Sequence, residues 1–368
     1  MKKILFLIHD LGQGGAEKVL VNLVNNMDHE KFDITVIALF GGGVNEQFLD
    51  KRVKYRAVFP KMISGNSHIM KLFSPRALHR MIVKEHYDVE ISYLEGPSTR
   101  IISGCDDPDT KLVAWVHCTM GAPGDISASF RSRGEAECCY VRMHEIAFVS
   151  EGVRSAFLKY CGYHGRTIVL YNTIETERIL RKAREEVSEI TGDKIGLVAV
   201  GTLKAVKGLD RLLRVLKKLV DEKYPVHLYL LGEGPAEDDL RRETAAYGLE
   251  GNVSFLGYKE NPYMYVSKCD LLVCSSYSEG FSTAATEALI VGTPVCTVEV
   301  SGMKEMLGNN DEYGIVTEND EEALYRGIKR LLDDPELLRH YRRQAAIRGK
   351  AFSTAETVKA VEDMLLQL

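Results

Sequence analysis

The chain has 368 residues, 45% of them hydrophobic and 27% charged, and a formal net charge of −5; this is the balance of an ordinary soluble globular protein, too long for one comfortable core, so two domains are expected. No stretch reaches the ~18 apolar residues of a membrane-spanning helix, and an acidic chain without a recognised binding module argues against a nucleic-acid partner. The eight cysteines show no Cys-x-x-Cys spacing, which predicts buried free thiols in a reducing cytosol ahead of zinc ligands or a disulfide framework.

The opening Met1–Asp10 segment is too short and too soon broken, at His9, for a signal peptide, and reads as a first β-strand. Asp10-Leu11-Gly12-Gln13-Gly14-Gly15-Ala16-Glu17 then leads into helical spacing over 16–27. Gly12-x-Gly14 after a strand invites a dinucleotide-binding reading, but Glu17 stands where a third glycine is needed. The second strand also ends Ala38-Leu39-Phe40-Gly41 without an acid for a ribose, so an NAD-dependent dehydrogenase is disfavoured.

From Lys51 to His86 nine lysines and arginines face one acid, Glu85. Within that span Met70 to Lys84 predicts a basic amphipathic helix. Lys71, Arg76, Arg80 and Lys84 could set it on an anionic membrane surface, and a solvated helix with one core face is the equal alternative. Asp107-Pro108-Asp109 has the form of a metal-holding Asp-x-Asp pair, but the turn-rich residues 104–110 make it a surface loop. No other cluster has metal-ligand spacing, so no metal is expected. His117 follows Val113-Ala114-Trp115-Val116 at the mouth of a strand, where a ligand-facing histidine competes with a satisfied structural one. Ser150 reads as a helix cap.

Apolar strands alternate with helical patterns throughout. Strands are expected near 3–8, 33–39, 54–58, 88–93, 111–116, 145–149 and 167–170, then near 195–200, 226–231, 253–256, 271–274, 294–298 and 313–316. Helical spacing is clearest at 16–27, 207–222, 236–247, 283–291 and 320–333. Repeated βα units imply parallel sheets covered on both faces. The polar, helix-like segment Thr176 to Asp193 separates the two sets. The expected fold is therefore α/β with two doubly wound Rossmann-like domains, 1–175 and 176–353, followed by a last helix over 354–368. Ligands of such domains bind at the C-terminal ends of their strands.

In the second half, Val200-Gly201-Thr202-Leu203-Lys204-Ala205-Val206-Lys207-Gly208 follows a strand and opens a helix. Gly201 admits close backbone approach, and Lys207 at the helix start supplies a cation for a diphosphate, although a lysine at such a place is by itself most often just solvated. Leu271-Leu272-Val273 reads as a buried strand leading to Glu279-Gly280-Phe281-Ser282-Thr283, with Ser282 capping a helix that ends at Gly292. The amides of Phe281, Ser282 and Thr283 would face an anion. Glu287, a turn into that helix, can accept from both hydroxyls of a ribose, and Glu279 from those of a second sugar. Two glutamates at this spacing are by themselves ordinary solvated charges. The strand, the Gly-Phe turn and the Gly-Thr-Pro exit turn the balance towards a sugar-nucleotide site.

Glu279 and Glu287, with seven residues between them, form a block that resembles the signature of family 4 of the retaining glycosyltransferases. The resemblance covers nearly the whole chain and is weakest from about 40 to 110. It implies the GT-B fold, with an N-terminal acceptor domain, a C-terminal nucleotide-sugar donor domain and a chain end that crosses back to the first. It also implies that Gly14 and Gly15 face the donor phosphates and acceptor, that His117 contacts the donor sugar, and that Asn172 is positional. Gly257, with Gly232 and Gly234, would border the base, where glycine permits close backbone approach, with plain turns as the equal alternative. The family pattern Gly-Arg-Leu before Lys-Gly is broken here by Thr202; Lys204 could substitute, though without a bidentate grip.

The expected activity is transfer of a hexosyl-type sugar, with retention and without metal or cofactor, from a nucleoside diphosphate sugar (a UDP-sugar ahead of a GDP-sugar) to an acceptor hydroxyl. His117, Lys207 and Glu279 would be the catalytic set. A lipid-linked saccharide in bacterial capsule, lipopolysaccharide or exopolysaccharide assembly suits the basic N-terminal patch, with the protein cytoplasmic or peripheral at the inner face of the membrane, and a soluble small-molecule acceptor stays open as the alternative. A sugar-nucleotide epimerase on the same fold stays open, as does a non-catalytic GT-B subunit of a partner transferase, for which Thr202 is the best support.

Overall fold

The computed structural model describes residues 1–61, 70–120, 122, 124–190 and 193–368. Two compact units emerge from its contacts, Met1–Ile174 together with Thr354–Leu368, and Glu175–Ser353.

The first unit is built on β1 (Lys2–Ile8), β2 (Phe32–Phe40), β3 (Lys54–Phe59), β4 (Val89–Tyr93), β5 (Lys111–Val116), β6 (Glu145–Phe148) and β7 (Arg166–Val169). They form one sheet in the order β3-β2-β1-β4-β5-β6-β7, with every pair parallel. Ile4 to Ile8 and Leu112 to Val116 are buried in unbroken runs, as expected of strands covered on both faces. The strand order reverses between β1 and β4, the switch point of a doubly wound sheet. The last helix, Thr354–Gln367, belongs to this unit. Thr354 Oγ1 donates to the Ile174 carbonyl at 2.7 Å, Lys2 Nζ to that of Leu365 at 2.7 Å, and the Asp28 N–H to Glu362 Oε1 at 2.6 Å.

The second unit carries β8 (Ile195–Val200), β9 (Val226–Leu231), β10 (Val253–Gly257), β11 (Leu271–Cys274), β12 (Val295–Val298) and β13 (Ile315–Thr317). Their order is β10-β9-β8-β11-β12-β13, again all parallel. Its switch point lies between β8 and β11. Leu212, Leu216 and Leu219 of the helix Leu209–Asp221 share a core with Leu197, Leu228 and Leu271. All thirteen expected strands form, each end within two residues of its apolar run. Two parallel α/β units of this kind are the architecture of the GT-B fold.

Three expectations about helices need correction. Among the described residues of the basic segment, Met70 is helical, residues 71–74 are not, and the helix that follows spans Pro75–Ile82. Ser74 caps it, its side chain accepting from the Ala77 N–H at 3.2 Å, and Pro75 sits at the first position, where its missing N–H costs nothing. Lys71 and Lys84 therefore lie outside the helix. Residues 70–73 are instead fixed by Arg100, which is 1% exposed and donates to the carbonyls of Met70 (2.7 Å) and Phe73 (2.6 Å) and to Glu135 (2.9 Å). The segment 176–193 is helical only over Thr176–Lys182, and its residues 191 and 192 lie outside the described ones. Lys207 closes a short 3₁₀ turn, Ala205–Lys207; the helix begins two residues later.

Beneath the basic helix, buried His79 Nε2 lies 2.8 Å from Glu90 Oε2, with Cys105 beside them. Burial pushes the histidine down, but its hydrogen bonds to Cys105 and Glu90 outweigh that and raise its pKa to about 9. Among the described residues this is the one group of three that brings ligand-type atoms within 4.8 Å of one another, and its members satisfy each other as an ion pair. All eight cysteines are unpaired. No helix among the described residues is long and apolar enough to cross a membrane.

Candidate functional site

In the second unit the chain leaves β11 through Ser275–Ser282 before the helix Thr283–Val291. A buried arginine and a glycine hold that loop. Arg211 is 3% exposed. Its Nε donates to the Ser275 carbonyl at 2.6 Å, Nη2 to that of Ser276 at 2.8 Å and Nη1 to Asn319 Oδ1 at 2.8 Å, while its guanidinium lies 4.4 Å from the centre of the Tyr277 ring. Gly208 adopts φ 59°, and a Cβ there would run into the Ser275 carbonyl. Sequence reasoning missed Arg211, because among Asp210, Arg214 and Lys217 it reads as one more exposed charge on an amphipathic helix. Arg211→Met would leave two buried carbonyls without a donor. The expected result is a loss of about 2–5 kcal/mol of stability, read by denaturant unfolding, together with weaker ligand binding.

Ser275 Oγ donates to the Lys207 carbonyl at 3.0 Å, which ties the loop to the 3₁₀ turn. Lys207 Nζ then lies 2.5 Å from Glu279 Oε1, and Ser276 Oγ donates to the same oxygen at 2.7 Å. One pocket at the ends of β8 and β11 is lined by Gly201, Lys207, Ser275, Ser276, Glu279 and Ser282, among others. Ser282 is the helix cap, its hydroxyl accepting from the Ala285 N–H at 3.3 Å, and Gly292 ends the helix at φ 78°. Thr283 is the first helical residue. The Phe281 ring is buried edge-on against Phe352, 5.9 Å between centroids, which leaves its backbone to the loop. Glu287 is half-buried and accepts from the Tyr263 hydroxyl at 3.2 Å. Glu287, Gly257 at the end of β10, and Lys204 are not among the pocket's lining. Thr202 and Lys204 are exposed.

In the first unit Gly14 caps the helix Gly15–Asn26. The Glu17 carboxylate folds back over it, so that a Cβ on Gly14 would collide with it, whereas Gly15 faces open space. Burial raises the Glu17 pKa. His117 follows β5 with 8% exposure, and its Nε2 has no hydrogen-bond partner. The ring packs on Tyr93, 4.6 Å between centroids, and burial pushes its pKa down to about 3. It is therefore a neutral imidazole at pH 7. Its backbone N–H donates to Glu95 Oε2 at 2.9 Å. Asn172 is buried three residues beyond the end of β7.

Elsewhere on this unit, Arg76 and Arg80 both donate to Asp106 Oδ2, at 2.7 and 2.8 Å, which offsets part of their charge. Lys71 Nζ donates to the Ala128 carbonyl at 2.9 Å and Lys84 Nζ to that of Arg80 at 2.7 Å. Leu72 is 76% and Met81 56% exposed, with Phe73 also at the surface.

Chemically, a lysine and a capped helix N-terminus in one pocket suit an anion. Partly buried carboxylates and a neutral imidazole suit sugar hydroxyls. The two glutamates sit in different surroundings: Glu279 is in the lysine pocket and Glu287 is against a tyrosine.

Two family models match the chain, one in each half: Glycosyltransferase Family 4 over residues 13–178 and Glycosyl transferases group 1 over residues 181–348. Among curated proteins, the chain is 28% identical over 376 residues, covering all of both chains, to an N-acetylgalactosamine-N,N'-diacetylbacillosaminyl-diphospho-undecaprenol 4-alpha-N-acetylgalactosaminyltransferase of Campylobacter jejuni. It is 23% identical, over 98% of this chain and 96% of the other, to the lipopolysaccharide core biosynthesis glycosyltransferase LpsD of Rhizobium meliloti. Among solved structures, Anabaena Alr3699/HepE in complex with UDP superposes over the whole of both chains with a TM-score of 0.79 at 19% identity.

Proposed function

Because the chain is a GT-B glycosyltransferase of family 4 type, we propose that it moves a sugar from a nucleoside diphosphate sugar, a UDP-sugar ahead of a GDP-sugar, to an acceptor hydroxyl with retention of configuration. The observation that carries this reading is the Lys207–Glu279 pair, 2.5 Å apart beside the Ser282-capped helix. Cleaving the anomeric bond releases a dianionic diphosphate, so the main task of the site is to stabilise that charge. Lys207 and the amides of Phe281, Ser282 and Thr283 do so, which lets transfer proceed without an added divalent ion. Gly201 admits the diphosphate close to the backbone. Glu287 holds the ribose, Gly257 borders the base, and Glu279 and His117 orient the sugar. Gly14 and Gly15 present amides to the phosphates once the Glu17 carboxylate turns aside, and Asn172 is positional. Lys204, exposed, reaches the diphosphate only as a mobile point charge.

The acceptor side is read as a saccharide on a lipid carrier in bacterial surface polysaccharide assembly, in line with the undecaprenol-linked acceptor in the name of the Campylobacter relative. The protein then works from the cytoplasmic side as a peripheral protein. Leu72, Phe73 and Met81 enter the lipid interface, with Lys71, Arg76, Arg80 and Lys84 around them. Neutralising Arg76, Arg80 and Lys84 together should lower binding to vesicles rich in phosphatidylglycerol by at least tenfold at physiological salt, at about 1 kcal/mol per charge. Equal binding in sedimentation would remove the membrane contact.

The test of the function is calorimetric titration with UDP, GDP and their common sugars, with and without a chelator, while slow hydrolysis of the bound donor is followed by NMR. Binding of one nucleotide sugar in chelator, with release of the same anomer, is the expected result. No binding to any of them would favour a non-catalytic subunit, the reading that exposed Thr202 supports.

A further inference from the structure

The end of β4 is strained. Leu94 adopts φ 98° and Gly96 φ 98°, ψ −122°, and a side chain at Gly96 would press on Ser129 Oγ at 2.8 Å. Glycine tolerates such angles, but a leucine there is strained, and such strain persists only where the surroundings over-determine it. The residue between them is Glu95. β4 and β5 pair in parallel as far as Tyr93 and Trp115, so the His117 N–H lies beyond the ladder and lacks its normal carbonyl. The kinked turn delivers the Glu95 carboxylate in its place, with Oε2 2.9 Å from the His117 nitrogen. The Cys118 thiol hydrogen-bonds the same carboxylate. Among the described residues no lysine or arginine pairs with Glu95.

We infer that Glu95 is a positioning residue for His117: the strained Leu94–Glu95–Gly96 turn at the β1/β4 switch point places a carboxylate that fixes the His117 backbone and so aims its unpartnered Nε2 at a sugar hydroxyl. A plain turn would accept asparagine or glycine at 94 and need no acid at 95. The same geometry braces a buried imidazole whose Nε2 has no hydrogen-bond partner. Its ring is held by Tyr93 on one side and its main chain by Glu95. Neither group touches the reacting atoms. The inference rests on the donor-sugar role given to His117 above.

The test compares Glu95→Ala with Glu95→Gln, which keeps an acceptor oxygen in a side chain of the same length. Three readings are taken: UDP affinity by calorimetry, hydrolysis of the UDP-sugar that the unaltered protein binds, and the His117 imidazole signals in nitrogen-resolved NMR. In Glu95→Ala, hydrolysis should fall by about tenfold or more with UDP affinity kept within about twofold, because only the aim of one group is lost. The imidazole signals should shift or broaden, and Glu95→Gln should recover most of both. Unchanged imidazole signals in Glu95→Ala would overturn the inference, as would hydrolysis that falls only in step with UDP binding. If the unaltered protein binds no UDP, the donor reading fails by itself, and the imidazole signals alone decide whether Glu95 positions His117.

Discussion

Glu279→Ala is expected to cut donor hydrolysis and sugar transfer about 100-fold, the scale of one lost group aimed at a developing charge or a reacting sugar, while UDP binds as tightly as before or more tightly. The reason is the contact that Glu279 makes in the free protein. Its carboxylate lies 2.5 Å from Lys207 Nζ, so an incoming diphosphate must draw the ammonium away from a partner. On the proposed reading, the displaced carboxylate then turns to the hydroxyls of the sugar. Deleting it removes the competitor and leaves the lysine to the nucleotide. Calorimetry with UDP beside hydrolysis of the UDP-sugar separates the two effects. If UDP affinity fell in parallel with turnover, Glu279 would instead serve to hold Lys207 in place.

Lys207→Ala should produce the complementary pattern. A charge-assisted contact to a diphosphate is worth about 1.5–3 kcal/mol, so UDP affinity should drop roughly 10- to 100-fold. Uridine, which has no phosphates, should bind as it does to the unaltered protein. The substitution also removes the Lys207 ammonium from beside Glu279, and a partly buried carboxylate facing an anionic ligand adds repulsion. The double variant Lys207→Ala, Glu279→Ala should therefore bind UDP better than Lys207→Ala alone. A double variant that binds no better would mean that the two side chains do not compete in solution.

The strand framework was legible because parallel strands covered on both faces must be apolar along their length. Leu228 to Leu231 and Leu271 to Val273 needed only that criterion. The helix Thr283–Val291 was equally legible, since Ser282 before it and Gly292 after it are chemical stop signs. Charge and apolar spacing alone overextend the basic segment, because Ser74-Pro75 sets a helix start on its own. Local chemistry could not reveal Arg211. Its role depends on carbonyls more than sixty residues away, and an arginine on a helix is exposed unless something distant claims its five N–H groups. Glu95 was hidden for a related reason: Leu-Glu-Gly has no turn signature at its first residue, because leucine is the wrong residue for a left-handed angle. Within the pocket, Gly201 is legible as a glycine after a strand, Lys207 as a cation at a helix start, Ser282 as a helix cap and Glu279 as the carboxylate of the loop before that helix, and the four line one surface. Their contact with one another followed from Gly208, whose missing side chain lets the two loops touch.

The hydrogen bonds that fasten the last helix to Lys2, Asp28 and Ile174 also bear on how the protein is made. Residues 175–353 form a continuous stretch inserted within a unit whose two parts lie on either side of it. During synthesis the inserted unit is complete when residue 353 leaves the ribosome, while the earlier one still lacks Val358, Val361, Met364 and Leu365, side chains buried in the finished structure. The usual order, in which the N-terminal domain folds first, is therefore reversed for the final step. The half that begins the chain is the one that finishes folding last.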